Sequence, residues 1–392
     1  MSNLNVLMNT YNRIPVDFVR GEGSWLYDSE GNKYLDAISG IAVCALGHSH
    51  PGFIRAVQEQ VATLVHTSNL YGIPLQSELA EKLCAVSGMD RVFFCNSGAE
   101  ANEAQIKLAR MFGHTRGIEV PGIIVMEGAF HGRTMGSLTA THSNRHQGGF
   151  APFLDGFYRV PFNDIDAVEA MIAQHDNIVA VLVEPIQGEG GVCLPDSDYL
   201  TKLRAVCDAN DMLLMLDEVQ TGNGRTGKYF AYQHNHILPD VFSTAKGLGN
   251  GFPIGACLAR GRAAELFQPG HHATTFGGSP LACAAALAVI EAIQGENLLE
   301  HANIQGDRIK FGLSIRLQNN AHVVSVRGKG LMVGVELDQP CGDLVGLARE
   351  KGILINVASG NVVRLVPPLN LTEAESDLII DTISNLIQEF TS

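Results

Sequence analysis

Short apolar runs recur through the middle of the chain: 92–95 (VFFC), 122–126 (GIIVM), 178–184 (IVAVLVE), 212–217 (MLLMLD), 241–245 (VFSTA) and 254–259 (IGACLA). Runs this short, several rich in Val and Ile, fit strands buried on both faces, as in a parallel sheet. Longer stretches with helical spacing lie between them, for example 99–112 and 197–209. Repeated strand–helix units predict an α/β fold with a mostly parallel central sheet flanked by helices. The ends read differently. Residues 22–47 alternate around a turn at Asp28–Gly31 and predict a small meander. Ser279 and Pro280 open an apolar helix as N-cap and first-turn residue. Thr372 and Glu375 have capping-box spacing, and Ile379, Ile383, Leu386 and Phe390 then share one helical face. The expected division is a large domain over 46–282 and a smaller α+β domain built from both termini, 1–45 and 283–392.

Composition narrows the function. With 46% apolar and 17% charged residues in a chain of 392, disorder is excluded. A formal charge of −14 argues against nucleic-acid or anionic-membrane partners, although a few arginines in a cleft could still receive an anionic substrate. Eight cysteines are scattered without a CxxC pair, which predicts reduced thiols and a cytoplasmic protein. The opening MSNLNVLMNTYNRIP lacks the pattern of a secretory leader, and no apolar run has the length of a membrane span. No cluster has metal-ligand spacing.

Six segments could carry chemistry. In CNSGAEANEAQIKLAR (95–110), Ser97, Gly98 and Ala99 occupy a strand-to-helix turn, which is either an anion cradle or a plain N-cap. Glu103 and Lys107 would pair on the exposed side of that helix. Asp217 ends the run MLLML, where a sheet delivers side chains to a ligand crevice. It is either the partner of a protonated ring nitrogen or a structural or metal-binding carboxylate. Lys246 follows VFSTA and precedes a glycine-rich stretch. It is either a buried amine with a lowered pKa, able to form an imine, or a surface lysine in a loop. GAFHGRT (128–134) offers Phe130 and His131 for an aromatic ligand and Arg133 for a carboxylate, or else a core Phe and a surface Arg. VEPIQGEGG and NVVRLVPPLN set Glu184, Glu189 and Arg364 beside apolar runs, so the arginine should be paired with a protein or substrate carboxylate. A Gly-x-Ser-x-Gly elbow and a Walker A motif are both missing from the sequence.

Taken in chain order, the segments resemble the class III (fold type I) pyridoxal-phosphate-dependent aminotransferases over roughly residues 10 to 390. SGIAVCALGHSHP, TAKGLGNGFPIGA and TTFGG add to the likeness, which is nearest to the acetylornithine aminotransferase branch. The resemblance implies pyridoxal 5'-phosphate as cofactor, with Lys246 as its imine-forming lysine and Asp217 on the ring nitrogen. It implies Phe130 and Val219 on the ring faces, His131 and Glu218 beside them, Gln220 near the phenolic oxygen, and Ser97, Gly98 and Ala99 on the phosphate. Thr275 would reach the phosphate of a neighbouring subunit, implying a homodimer with shared active sites. Arg364 would hold a substrate α-carboxylate, with Glu189 neutralising it when an ω-amino substrate binds. Arg133 would hold the distal carboxylate, and Thr274 would touch the donor where many relatives carry Ser. The implied reaction passes the δ-amino group of N2-acetylornithine to 2-oxoglutarate in arginine biosynthesis. Ornithine, succinylornithine and acetyllysine aminotransferases share most motifs and stay as alternatives. A tyrosine at Tyr11 leans towards the ornithine enzymes, whereas Ile41 leans away from them.

Overall fold

In the computed structural model, residues 6–142 and 148–392 are described, so the first five residues of the opening segment read above as no leader lie outside them. Three strands, β1 (Phe18–Glu22), β2 (Trp25–Asp28) and β3 (Lys33–Asp36), form the antiparallel meander near the N-terminus. Its second turn is held by Asp28, whose carboxylate accepts from the N–H groups of Glu30 and Asn32.

The apolar runs then become β4 (Arg91–Cys95), β5 (Gly122–Met126), β7 (Ile178–Val183), β8 (Leu213–Asp217), β9 (Val241–Thr244) and β10 (Gly255–Ala259), joined by β6 (Phe157–Val160). They assemble in the order β4-β10-β9-β8-β7-β5-β6. Four of the pairings are parallel, but β10 runs antiparallel to both β9 and β4. The connection from β9 to β10 is too short to hold a crossover helix, so the chain doubles back. β6 escapes the apolar pattern because it is the edge strand and only its last residue is buried.

Strand residues alternate between two packed layers. Ile124, Met126, Val181, Val183, Leu214, Leu216 and Phe242 join the larger core. Their neighbours Ile123, Val125, Ala180, Leu182, Leu213, Met215 and Val241 join the smaller one. Both faces are therefore dry, which is why the runs are continuously apolar.

The C-terminal part adds a sheet in the order β11-β12-β15-β14, from β11 (Val323–Lys329), β12 (Met332–Leu337), β14 (Asn356–Ala358) and β15 (Val362–Leu365). The two-residue β13 (Ile353–Leu354) instead joins the N-terminal meander, parallel to β3. The capping box forms: Thr372 Oγ1 accepts from Glu375 N–H at 3.3 Å, and Glu375 accepts from Thr372 N–H at 2.8 Å. Glu375 also accepts from Trp25 Nε1, tying the last helix to the meander.

One local expectation holds in position, and one is corrected. Ser279 stands at the N-cap of helix Pro280–Gly295, but its side chain makes no capping bond. Glu103 and Lys107 do not pair. Glu103 instead accepts from Thr134 Oγ1 and from the N–H groups of Gly136 and Ser137, while Lys107 donates to His271 O. All eight cysteines are free thiols. Among the described residues, no single helix is long and apolar enough to cross a membrane.

Candidate active site

The C-terminal ends of β4, β5, β7, β8 and β9 meet along one edge of the large sheet. There they enclose a cavity of about 410 Å³. Ser97, Gly98, Ala99, Phe130, His131, Arg133, Glu189, Asp217, Val219, Gln220 and Lys246 all line it. A crevice at the strand ends of an α/β sheet is where such folds take ligands.

The helix Gly98–Thr115 starts at the cavity wall. Ser97 is its N-cap and accepts from Glu100 N–H at 3.2 Å. A Cβ at position 98 would lie 2.6 Å from Val219 Cγ1, so glycine lets the helix start close against the β8 loop. One turn further on, Asn102 Nδ2 donates to Asp217 Oδ2 and to His131 O, both at 2.7 Å. The orientation of the Asn102 amide is fixed because its oxygen receives Ser243 Oγ (2.7 Å) and Gln105 Nε2 (2.9 Å).

Asp217 is buried on the floor. His131 Nδ1 donates to its Oδ2 at 2.8 Å, and Val219 N–H donates to its Oδ1 at 3.0 Å. Three donors, from Asn102, His131 and Val219, thus converge on its two oxygens. His131 Nε2 is buried with no hydrogen-bond partner among the described residues.

Lys246 follows β9 in a left-handed conformation (φ 45°). Its ammonium is shifted below the usual lysine range, chiefly by loss of solvent; Arg364 lowers it further, while Glu189 and Asp217 oppose the shift. Glu184, at the end of β7, accepts from Phe130 N–H at 2.9 Å and Gly188 N–H at 3.1 Å. Burial pushes its pKa up, and the nearby Asp217 adds to the rise.

The far wall belongs to the C-terminal sheet. Arg364, on β15, is fully buried just behind the lining residues. Its Nη1 donates to Glu189 Oε1 at 2.7 Å and Gln220 Oε1 at 3.3 Å, and its Nη2 donates to Asn356 Oδ1 at 2.7 Å. Arg133 is exposed at the rim, its guanidinium 5.6 Å from the Phe130 ring centroid. Val43 reaches the cavity from a left-handed turn, Ser39–Ala42, where Ile41 has φ 69°.

Three expected residues lie elsewhere. Glu218 does not line the cavity; its carboxylate accepts from Thr221 Oγ1 (2.5 Å) and Tyr232 N–H (2.9 Å). Successive residues at a strand end face opposite ways, and Asp217 takes the inward one. Thr274 and Thr275 line a separate hollow of about 800 Å³ with Asn69 and Gln76. Asn96 links the two places, lining the cavity and donating to Thr274 Oγ1 at 3.0 Å. Tyr11 is 69% exposed and does not line the cavity.

Asn102 went unread in the sequence, although its i+4 spacing from Gly98 places it on the same helix face. Among the described residues, no three His, Cys, Asp or Glu side chains converge as a metal site.

Comparison with known proteins gives one picture. The family model Aminotransferase class-III matches residues 6–387. An acetylornithine aminotransferase of Nitrosomonas europaea is 55% identical over 384 residues, covering 98% of both chains. One from Gloeobacter violaceus is 51% identical, covering 95% of this chain and 93% of its own. Among solved structures, the ornithine aminotransferase of Toxoplasma gondii superposes with a TM-score of 0.95 at 32% identity, covering 98% of this chain and 93% of its own. The acetylornithine aminotransferase of Elizabethkingia anophelis gives 0.88 at 35%, with 98% and 97% covered.

Proposed function

The chain belongs to the class-III aminotransferases, and we propose that it moves the δ-amino group of N2-acetylornithine to 2-oxoglutarate with pyridoxal 5'-phosphate held in the cavity. The observation that carries this reading is the placement of Lys246 and Asp217 in one cavity, with the Arg364–Glu189 pair at its far wall. The residues present fit the cofactor. Ser97, Gly98 and Ala99 bring the N-terminus of an eighteen-residue helix to the cavity wall, suiting a phosphate. Asp217 is a buried carboxyl held in place by Asn102 and His131, suiting a protonated ring nitrogen.

When bound, pyridoxal phosphate supplies an aldehyde that takes the amino group and a ring that spreads the charge left on carbon. The protein supplies the rest. The lowered pKa of Lys246 leaves more of its Nζ neutral, able to take a proton from the substrate carbon and return it. Asp217, oriented by His131, would face the ring nitrogen; Phe130 and Val219 would pack on the ring, Gln220 would lie near the phenolic oxygen, and Ser97, Gly98 and Ala99 would hold the phosphate.

2-Oxoglutarate presents two carboxylates, one for Arg364 and one for Arg133. The acylated donor presents one, for Arg133, so Glu189 stays on Arg364 in that half-reaction. A buried guanidinium left without any anion would be strongly unfavourable.

The reading extends to assembly and place. Thr274 and Thr275 serve the site of a second subunit in a homodimer. Exposed Leu70, Tyr71 and Phe276 beside the same hollow support this. Residues 46–282 act as the cofactor domain, with 1–45 and 283–392 as the smaller one. The enzyme works in the cytoplasm, in arginine biosynthesis.

The test is spectroscopic. The purified protein is loaded with pyridoxal phosphate and given N2-acetylornithine, ornithine or N2-succinylornithine without a keto acid. Acetylornithine should bleach the visible band fastest, and Lys246→Ala should abolish turnover. A faster response to ornithine or succinylornithine would overturn the substrate assignment, and absence of any visible band would overturn the cofactor.

A further inference from the structure

The loop that brings Glu189 to Arg364 is pinned along its length. At its inner end, Gly188 N–H is taken by Glu184. Across its base, Gln187 and Cys193 exchange backbone hydrogen bonds of 3.1 and 3.0 Å. At its outer end stands Arg327, on β11 and outside the cavity. Its Nε donates to Val192 O at 2.9 Å and its Nη2 to Gly191 O at 2.8 Å. Its Nη1 is held in turn by Ser325 Oγ and by the Glu336 carboxylate.

Between these anchors the backbone is strained. Val192 has φ 53°, a region that β-branched residues avoid, and its side chain is buried beside Ile186, Met332 and Val366. Such a conformation persists only where its surroundings over-determine it. The guanidinium on the Val192 carbonyl is part of that surrounding. A planar fork reaches two consecutive carbonyls at once, which an ammonium cannot do with the same geometry.

We infer that Arg327 is a specificity-determining positioning residue: it fixes the backbone after Glu189, so that Glu189 leaves and rejoins Arg364 by turning its side chain alone. The inference rests on the reading that Arg364 alternates between Glu189 and a substrate carboxylate. It adds that the alternation is sharp because the loop does not travel with it. If the loop drifts, Glu189 no longer returns squarely to Arg364. The acylated-amine half-reaction then suffers, while the half-reaction with glutamate does not.

The experiment is a cycle of single-turnover measurements on the cofactor-loaded enzyme, comparing the rate with N2-acetylornithine to that with glutamate. Arg327→Gln should lower this ratio about tenfold, and Arg327→Lys should restore part of it. In a Glu189→Ala background, Arg327→Gln should change the ratio by less than about twofold, because nothing remains to be positioned. A second readout needs no cofactor: amide exchange over residues 188–192 should quicken in Arg327→Gln and stay unchanged in Glu189→Ala. Should Arg327→Gln fail to fold, Glu336→Gln loosens the same guanidinium and is read in the same way.

An unchanged ratio in Arg327→Gln, or an equal fall in both backgrounds, overturns the inference and leaves the function standing. If Glu189→Ala itself slows both half-reactions equally, the alternation at Arg364 is wrong, and the inference falls with it.

Discussion

The floor of the cavity and its far wall are built on different physical plans. On the floor, Asp217 is held in one orientation by donors alone, and Asn102, fixed by Ser243 and Gln105, fixes Asp217 in turn. The far wall sets opposite charges against each other: Arg364 and Glu189 touch at 2.7 Å, with Gln220 and Asn356 as neutral companions. A preorganised floor suits a step whose charge always develops in the same place. A paired wall suits recognition that must accept two substrates of different charge, because either partner can be replaced by a ligand group. Chemistry calls for one geometry, whereas specificity here calls for two.

The comparison can be broken hardest at the floor. Asp217→Asn should lower both half-reactions about a thousandfold, the scale of losing a preorganised electrostatic contact. Unequal losses in single-turnover assays with N2-acetylornithine and glutamate would show that the floor also discriminates. At the wall, Glu189→Ala should slow the acylated-donor half about a hundredfold while sparing the glutamate half, because Arg364 is left buried and unpaired in the first alone. Comparable slowing of both halves would merge the two plans into one.

A last effect, on stability and not on rate, concerns Glu218, beside Asp217 in sequence but turned from the cavity. Burial pushes its pKa up from 4.5 to about 7, against the pull of Thr221 and Tyr232. A carboxyl raised in the folded state stabilises fully below its unfolded pKa, and that stability is lost as pH rises through about 7. Relative to wild type, Glu218→Gln should therefore gain stability between about pH 4.5 and 7, by at most about 1.4 kcal/mol per pH unit. Urea unfolding at about pH 5 and about pH 8 reads this directly. A pH-independent difference would place Glu218 as an ordinary ionised acid.

The floor was far more legible in the sequence than the wall. Asp217 and Lys246 each close an apolar run, so the strand that predicts the fold also predicts where the side chain emerges. The family resemblance supplied Arg364 and Glu189, but spacing alone could not join residues so far apart on β15 and the loop after β7. Arg327 was invisible for the same reason, since its partners are backbone carbonyls, which leave no trace in side-chain chemistry. Glu218 was misplaced because a motif names neighbours together while a strand end sends them to opposite sides. The direction of β10 was missed because an apolar run does not reveal its polarity; the length of the preceding connection does. Glu103 and Lys107 have correct helical spacing, yet Glu103 takes the first N–H groups of the short helix Met135–Ala140 and Lys107 donates to the loop at His271.

The pairing of β13 with β3 joins Ile353 to Leu35. During synthesis at about 5–20 residues per second, the meander therefore waits tens of seconds for the strand that completes it. Its neighbours wait as well, because Ala37 and Ala45 offer their carbonyls to Val366 and Leu369. The large sheet can close on the ribosome while this edge stays open, so a nascent chain is most exposed to mispairing at its oldest end.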